Sequence, residues 1–277
     1  MTIFVNQKEA ESFIFPGGEC HIRISPSDIG ERTKILANLF SSNDIMILLL
    51  TVDAVRRTNP QTFIDLCIPY FPYARQDRVC NEGEALSLKV MTDLINSLKC
   101  ETITIYDPHS DVLPALLNNC RTISLGKIIA KSPLAKIIKE NKLTILSPDS
   151  GSEKKIREVS RELLLEGISA DVIYARKIRD TTTGDILATA VPGELNDRNF
   201  IIIDDICDGG RTFIEFAKEM KHKGARDIYL YVTHGIFSRG LEVLKGSFKH
   251  VYCYHTMLSL QQIDSSFLTI IGDDYWY

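Results

Sequence analysis

The sequence predicts an α/β protein built on largely parallel sheets, and three observations carry the prediction. Short apolar runs recur along the chain and read as buried strands. The stretches between them space apolar residues three and four apart, as amphipathic helices do. The alternation is not interrupted by a low-complexity tract, a long linker or a short-period repeat. In chain order, strands are expected at Ile45–Leu50, Thr62–Tyr70, Thr102–Tyr106, Leu143–Leu146, Asp171–Tyr174, Phe200–Ile203 and Asp227–Val232. Helices are expected at Leu86–Leu98, Ile156–Leu165 and Phe213–Lys223. TITIYDPHS and FIIIDDICD echo each other, each an apolar strand that ends in an acidic residue where a loop begins. The echo points to two similar α/β domains, residues 1–124 and 125–277, with the boundary near Leu125.

Composition narrows the function. The 277 residues are 44% hydrophobic, enough for a substantial core. With 36 acidic against 32 basic residues the formal charge is -4, so there is no global basic field for a nucleic acid or an anionic membrane. Partners are expected among small molecules and other subunits. The opening residues MTIFVNQKEAESF lack a basic start followed by an apolar run, and Ile45–Leu50 is far too short to span a bilayer, so the expected location is the cytoplasm. Seven cysteines with no CxxC pair agree with reduced thiols there; Cys207 alone lies in a motif and reads as a loop filler.

The densest chemistry lies in FIIIDDICDGGRTFIEFAKEMK, residues 200–221. A very apolar strand runs into Asp204 and Asp205, then Asp208, Gly209, Gly210, Arg211 and Thr212, then an amphipathic helix. Ligands of parallel sheets bind beyond the carboxyl ends of strands. The glycines permit a tight turn whose amides face an anion, and Thr212 is expected to open a helix whose N-terminus favours phosphate. Carboxylates repel phosphate but accept hydrogen bonds from ribose hydroxyls, so a sugar phosphate fits better than free phosphate. Thr212 with Glu215 also reads as a capping box and Asp-Gly-Gly as a common turn, but each accounts for only half of the segment.

Other loops add to this. Asp107, Pro108, His109 and Ser110 follow one strand, and Ser147 to Ser152, including Asp149, follow another. Carboxylates and an imidazole at strand ends suit Mg²⁺, which takes few protein ligands and keeps positions for substrate phosphates. Taken singly, a His after a strand is more often structural, and Ser150 with Glu153 reads as another capping box. DLCIPYFPYARQDR ends a strand in aromatic residues followed by Arg75, Gln76, Asp77 and Arg78. Those aromatics suit a base and the guanidinium forks suit phosphate, although composition alone reads as a core aromatic cluster with a solvated charge run. In YARKIRDTTTGD, Arg176, Lys177 and Arg179 sit on an expected mobile loop, a lid able to neutralise a transferring phosphoryl group.

Over nearly its whole length the chain resembles ribose-phosphate pyrophosphokinases. FPGGECHIRI, PYFPYARQDR, GEALSLKVMTDLI, YDPHS, SPDSGSEKK, RKIR, IIIDDICDGGRT and VTHGIFS have counterparts in the family's order. The resemblance implies two phosphoribosyltransferase-like domains, each a largely parallel sheet flanked by helices, with the active site between them. It also implies a cytoplasmic homo-oligomer in which a neighbouring subunit holds part of the ATP. Arg75, Gln76, Asp77 and His109 would then handle ATP, with Phe15 and Glu19 reaching the adenine from the adjacent subunit. His109 and Asp149 would hold Mg²⁺ with Asp107 close by, and Lys177 and Arg179 would act on the catalytic loop. Asp204, Asp205 and the loop from Asp208 through Gly209, Gly210 and Arg211 to Thr212 would take ribose 5-phosphate. The implied reaction is in-line attack by the anomeric hydroxyl of ribose 5-phosphate on the β-phosphorus of ATP, with AMP leaving.

The chain is shorter than typical members at both ends and departs from them at single positions. Gly17 and Arg176 stand where members usually carry acidic residues, and DGGRT replaces a Thr-rich phosphate loop. Two other functions remain in view: a phosphoribosyltransferase that consumes the activated sugar, and a non-catalytic relative that regulates a partner. ARQDR and DPHS have no obvious task in the first, and a catalytic lid has none in the second.

Overall fold

The computed structural model describes residues 3–148, 151–179, 186–195 and 197–272. The chain divides into two units at the Ile123–Ser124 junction, and each has its own buried apolar core.

In the first unit, β1 (Ile3–Val5) and β2 (Lys8–Glu9) form an antiparallel edge, and β3 (Glu11–Ile14) and β4 (Cys20–Arg23) form a separate hairpin. There follow β5 (Arg32–Ala37), α1 (Ser42–Thr58), β6 (Phe63–Ile68), α2 (Ser87–Asn96), β7 (Thr102–Tyr106), α3 (Val112–Leu116) and β8 (Cys120–Ile123). The sheet order is β2-β1-β5-β6-β7-β8, with β5 to β8 parallel. The Ile45–Leu50 run expected as a strand lies inside α1. Asp44 N–H donates to Ser41 Oγ at 3.3 Å while Asp44 Oδ2 accepts from Ser41 N–H at 2.7 Å, a capping box that starts a helix. Its buried positions Ile47, Leu48, Thr51, Val52 and Val55 recur at helical spacing. An unbroken apolar run carries no period of its own, and the cap four residues upstream decides between helix and strand. The neighbouring β5 escaped the sequence reading because Arg32 and Lys34 dilute its apolar content, although Thr33, Ile35 and Ala37 are wholly buried.

The second unit contains α4 (Leu125–Ala130), α5 (Pro133–Glu140), β9 (Thr144–Ser147), α6 (Glu153–Leu165), β10 (Val172–Tyr174), β11 (Arg176–Arg179) and β12 (Ile186–Ala190). It continues with β13 (Phe200–Cys207), α7 (Arg211–His222), β14 (Ile228–Gly235), α8 (Glu242–Lys245), β15 (His250–Thr256) and β16 (Leu268–Ile270). Six strands form an all-parallel sheet in the order β10-β9-β13-β14-β15-β16. Residues 200–203 can be uninterruptedly apolar because β13 is paired on both sides within a parallel sheet, and all four are buried. Arg176–Arg179, expected on a loop, has strand backbone and pairs antiparallel with β12. Among the described residues no helix is long and apolar enough to cross a membrane, and all seven cysteines are free thiols.

Candidate active-site loops

The chemistry-bearing segments of both units follow the carboxyl ends of parallel strands, where open α/β sheets bind ligands. In the second unit β13 runs on through Asp204 and Asp205 to Cys207. Cys207 is therefore a packed strand residue and not a loop filler; burial pushes its thiol up to about 12, and Asp204 and Asp208 push the same way. Gly210 follows at φ +75, a left-handed backbone that L side chains rarely adopt, and a Cβ there would come within 2.9 Å of Leu244 Cδ2. Gly210 is also the N-cap of α7, which starts at Arg211. Thr212 therefore sits one residue inside the helix and does not cap it. An N-cap without a side chain leaves the first helix amides without intrahelical acceptors and open to an anion.

The two adjacent carboxylates have different tasks. Asp205 is buried and accepts an ion pair from Lys155 Nζ of α6 at 3.3 Å. Asp204, on the alternate side of the strand, accepts from the Asp205 N–H through Oδ1 at 2.9 Å. Asp208 accepts a 2.6 Å hydrogen bond from Ser238 Oγ in the loop after β14. Arg211 Nε donates to Glu215 Oε1 at 2.8 Å along the exposed helix face. Lys155 and Ser238 were not singled out from the sequence. Both lie in recognisable segments, SPDSGSEKK and VTHGIFS, but only the fold brings them to the β13 loop.

In the first unit the segment after β6 and the loop after β7 meet around a cavity of about 660 Å³, lined by Arg75, Gln76, Asp77, Arg78, Cys80, Glu84, Ala85, Ser87 and His109. That volume suits a nucleotide-sized ligand. Arg75 and Gln76 are exposed, whereas the Asp77 side chain is only 3% accessible and receives Arg78 Nε on Oδ1 at 2.9 Å. The Arg78 bond, then Ser110 and the charge of His109, hold the Asp77 carboxyl below its usual range against the opposing effect of burial. Asp77 thus lines the cavity with its carboxylate tied to the adjacent Arg78. Glu84 closes the far turn, accepting from the Cys80 and Asn81 N–H groups at 3.0 Å each and from Asn81 Nδ2 at 2.7 Å; those bonds, the side-chain one first, lower its pKa. Asp107 is 2% exposed at φ +40, so it turns the chain at the end of β7 and delivers His109 to the cavity.

Phe15 and Glu19 stand at the tip of the β3–β4 hairpin, where Phe15 N–H donates to Glu19 O at 2.8 Å. Phe13, Ile14 and Phe15 are all exposed, and the two phenylalanine rings pack edge to face at 4.9 Å. Lys177 and Arg179 lie on β11, and Asp149 lies outside the described residues. Among the described residues no three His, Cys, Asp or Glu side chains gather into a metal cage.

Comparison with known proteins matches residues 2–98 to the N-terminal domain of ribose phosphate pyrophosphokinase and residues 117–263 to the phosphoribosyl transferase domain. The ribose-phosphate pyrophosphokinase of Thermococcus kodakarensis is 31% identical over 84% of this chain and 79% of its own length. The chain belongs to the ribose-phosphate pyrophosphokinase family. A further pyrophosphokinase, from Mycoplasmopsis pulmonis, is 32% identical over 74% of the chain, which spans 62% of that relative's length. The phosphoribosylpyrophosphate synthetase of Mycobacterium smegmatis shares the fold, with a TM-score of 0.78 at 20% identity over 95% of this chain and 85% of that one. The ARQDR segment lies within the stretch matched to the N-terminal domain of ribose phosphate pyrophosphokinase, and the β13 loop within the stretch matched to the phosphoribosyl transferase domain.

Proposed function

We propose that the chain is a Mg²⁺-dependent ribose-phosphate diphosphokinase that transfers the β,γ-diphosphate of ATP to the anomeric hydroxyl of ribose 5-phosphate, giving phosphoribosyl pyrophosphate and AMP. The observation that carries the reading is the joint presence of the Arg75–His109 cavity in one unit and the Gly210-capped phosphate loop in the other. In this reading Arg75 and Gln76 hold the ATP phosphates, with Asp77 fixing their segment. The exposed aromatic tip at Phe15, with Glu19, contacts the adenine held by a second copy of the chain, so the active form is a homo-oligomer. Asp204 accepts from the ribose hydroxyls, while Asp205, neutralised by Lys155, holds the strand end in place. The amides from Gly210 to Thr212 take the 5-phosphate.

Mg²⁺ fits the donor set, since it binds through one or two protein groups plus substrate phosphates and does not need a dedicated cage. His109 and Asp149 would hold it, with the buried Asp107 adding negative charge nearby. When bound, it neutralises the charge on the phosphate chain. Lys177 and Arg179 would stabilise the charge that develops on the transferred group, and no covalent enzyme intermediate is needed. Catalysis then comes from positioning and charge neutralisation.

The test is to incubate pure protein with ATP, Mg²⁺ and ribose 5-phosphate and to follow AMP and phosphoribosyl pyrophosphate. Sugar-dependent AMP release is expected, and its absence overturns the assignment. Lys177→Ala should slow turnover about 10²- to 10³-fold while leaving nucleotide binding nearly intact.

A further inference from the structure

The β13 loop collects Asp204, Asp205 and Asp208 within five residues, and a dianionic phosphate placed among them needs a cation. Lys155 is engaged by Asp205, and Arg211, the cation within the loop itself, is bonded to Glu215 along the exposed helix face. The loop after β14 brings another. Its Ile236 and Phe237 N–H groups donate to Cys207 O at 2.9 and 3.1 Å, which lays residues 236–240 against the phosphate loop. The fit is tight, because a Cβ on Gly235 would overlap Phe237 Cε2 at 2.1 Å. Ser238 Oγ then bonds Asp208, and the stem of Arg239 lies over Gly209, where a Cβ would meet Arg239 Cδ at 3.2 Å. The guanidinium begins one bond beyond that Cδ.

We infer that Arg239 is a substrate-binding residue, which supplies the cation for the 5-phosphate of the sugar substrate. Gly209 serves this contact as well as the turn: its missing side chain leaves room for the arginine stem. An arginine offers a planar, permanently charged fork that matches phosphate geometry. Selectivity for phosphorylated over free sugar then resides in the β14 loop as much as in the β13 loop.

The inference rests on the ribose 5-phosphate reading, and calorimetric titration of ribose 5-phosphate into the nucleotide-free protein separates the two. Arg239→Ala is expected to weaken ribose 5-phosphate binding about 10- to 100-fold, with Arg239→Lys between it and the unmodified chain and ATP binding unchanged in all three. Free ribose, which has no phosphate, should lose nothing. Equal ribose 5-phosphate affinity in Arg239→Ala and the unmodified protein overturns the role of Arg239 alone. An unmodified protein that binds no ribose 5-phosphate overturns the sugar-phosphate reading and this inference with it. Parallel weakening for ribose and ribose 5-phosphate would mean that the substitution disturbs the loop instead, and that also overturns the inference.

Discussion

The β13 loop of the second unit and the cavity of the first are built in opposite ways. The first is a contiguous run in which backbone does most of the work: a left-handed glycine starts α7 and leaves helix amides open. The second is a side-chain construction, in which Arg75, Gln76 and His109 reach one cavity from segments more than thirty residues apart and the buried Asp77 is tied to the adjacent Arg78. The amides of the β13 loop tolerate changes in that loop's own side chains but not in its backbone conformation. A site made of side chains has the reverse sensitivity.

The largest effect should fall on the cavity. Arg75→Ala removes a charged fork from the ATP side and is expected to lower kcat/KM for ATP about 10- to 100-fold, with KM for ribose 5-phosphate little changed. Steady-state kinetics in both substrates would show it, and an equal loss for the sugar would break the division of labour. Gly210→Ala strikes the backbone-built site. It forces an L residue to φ +75 against Leu244, so stability should drop by about 1–3 kcal/mol, with weaker ribose 5-phosphate binding. Denaturant melts and the sugar titration measure both effects.

Acid should also separate the units. Burial, with His234 nearby, lowers the His255 pKa to about 3. An unfolded histidine titrates near 6.5, so the unfolded state takes up the proton first. The contribution of His255 is complete above that pH and is lost as pH falls toward 3. Asp77 in the first unit is lowered by its partners and not by burial: its contribution is present above the ordinary carboxylate value and is also lost as pH falls, but only below that value. Unfolding followed against pH should therefore show the second unit weakening first, and His255→Gln should flatten that slope. The smallest effect is expected for Thr212→Val. Thr212 is exposed and does not cap the helix, so ribose 5-phosphate binding should change by no more than about twofold. A large loss would mean that the hydroxyl, not the amide, holds the phosphate.

The acid response points to a strand the sequence did not disclose. In β15, His250–Thr256, polar and apolar residues mix in a segment that is buried because strands flank it on both sides. Its buried His255 lies beside His234 of β14, in register across the ladder, and only pairing brings them together.

Residues 200–212 show what the sequence by itself determined. An apolar strand, an acidic end, two glycines and a helix succeed one another by local rules, so the strand, the turn and the helix were legible without coordinates. Tertiary structure alone decided which helix position Thr212 takes, how Asp204 and Asp205 divide their roles, and which distant side chains meet the loop. Lys155 reaches Asp205 across fifty residues and Ser238 reaches Asp208 across thirty, and no local pattern encodes such partners. The Ile45–Leu50 run failed for a related reason: six apolar residues in succession carry no period, and only the packing shows that Ile47 and Leu48 turn inward while Met46 stays exposed. Local propensity and spacing act over a few residues, whereas burial and pairing depend on where the rest of the chain lies.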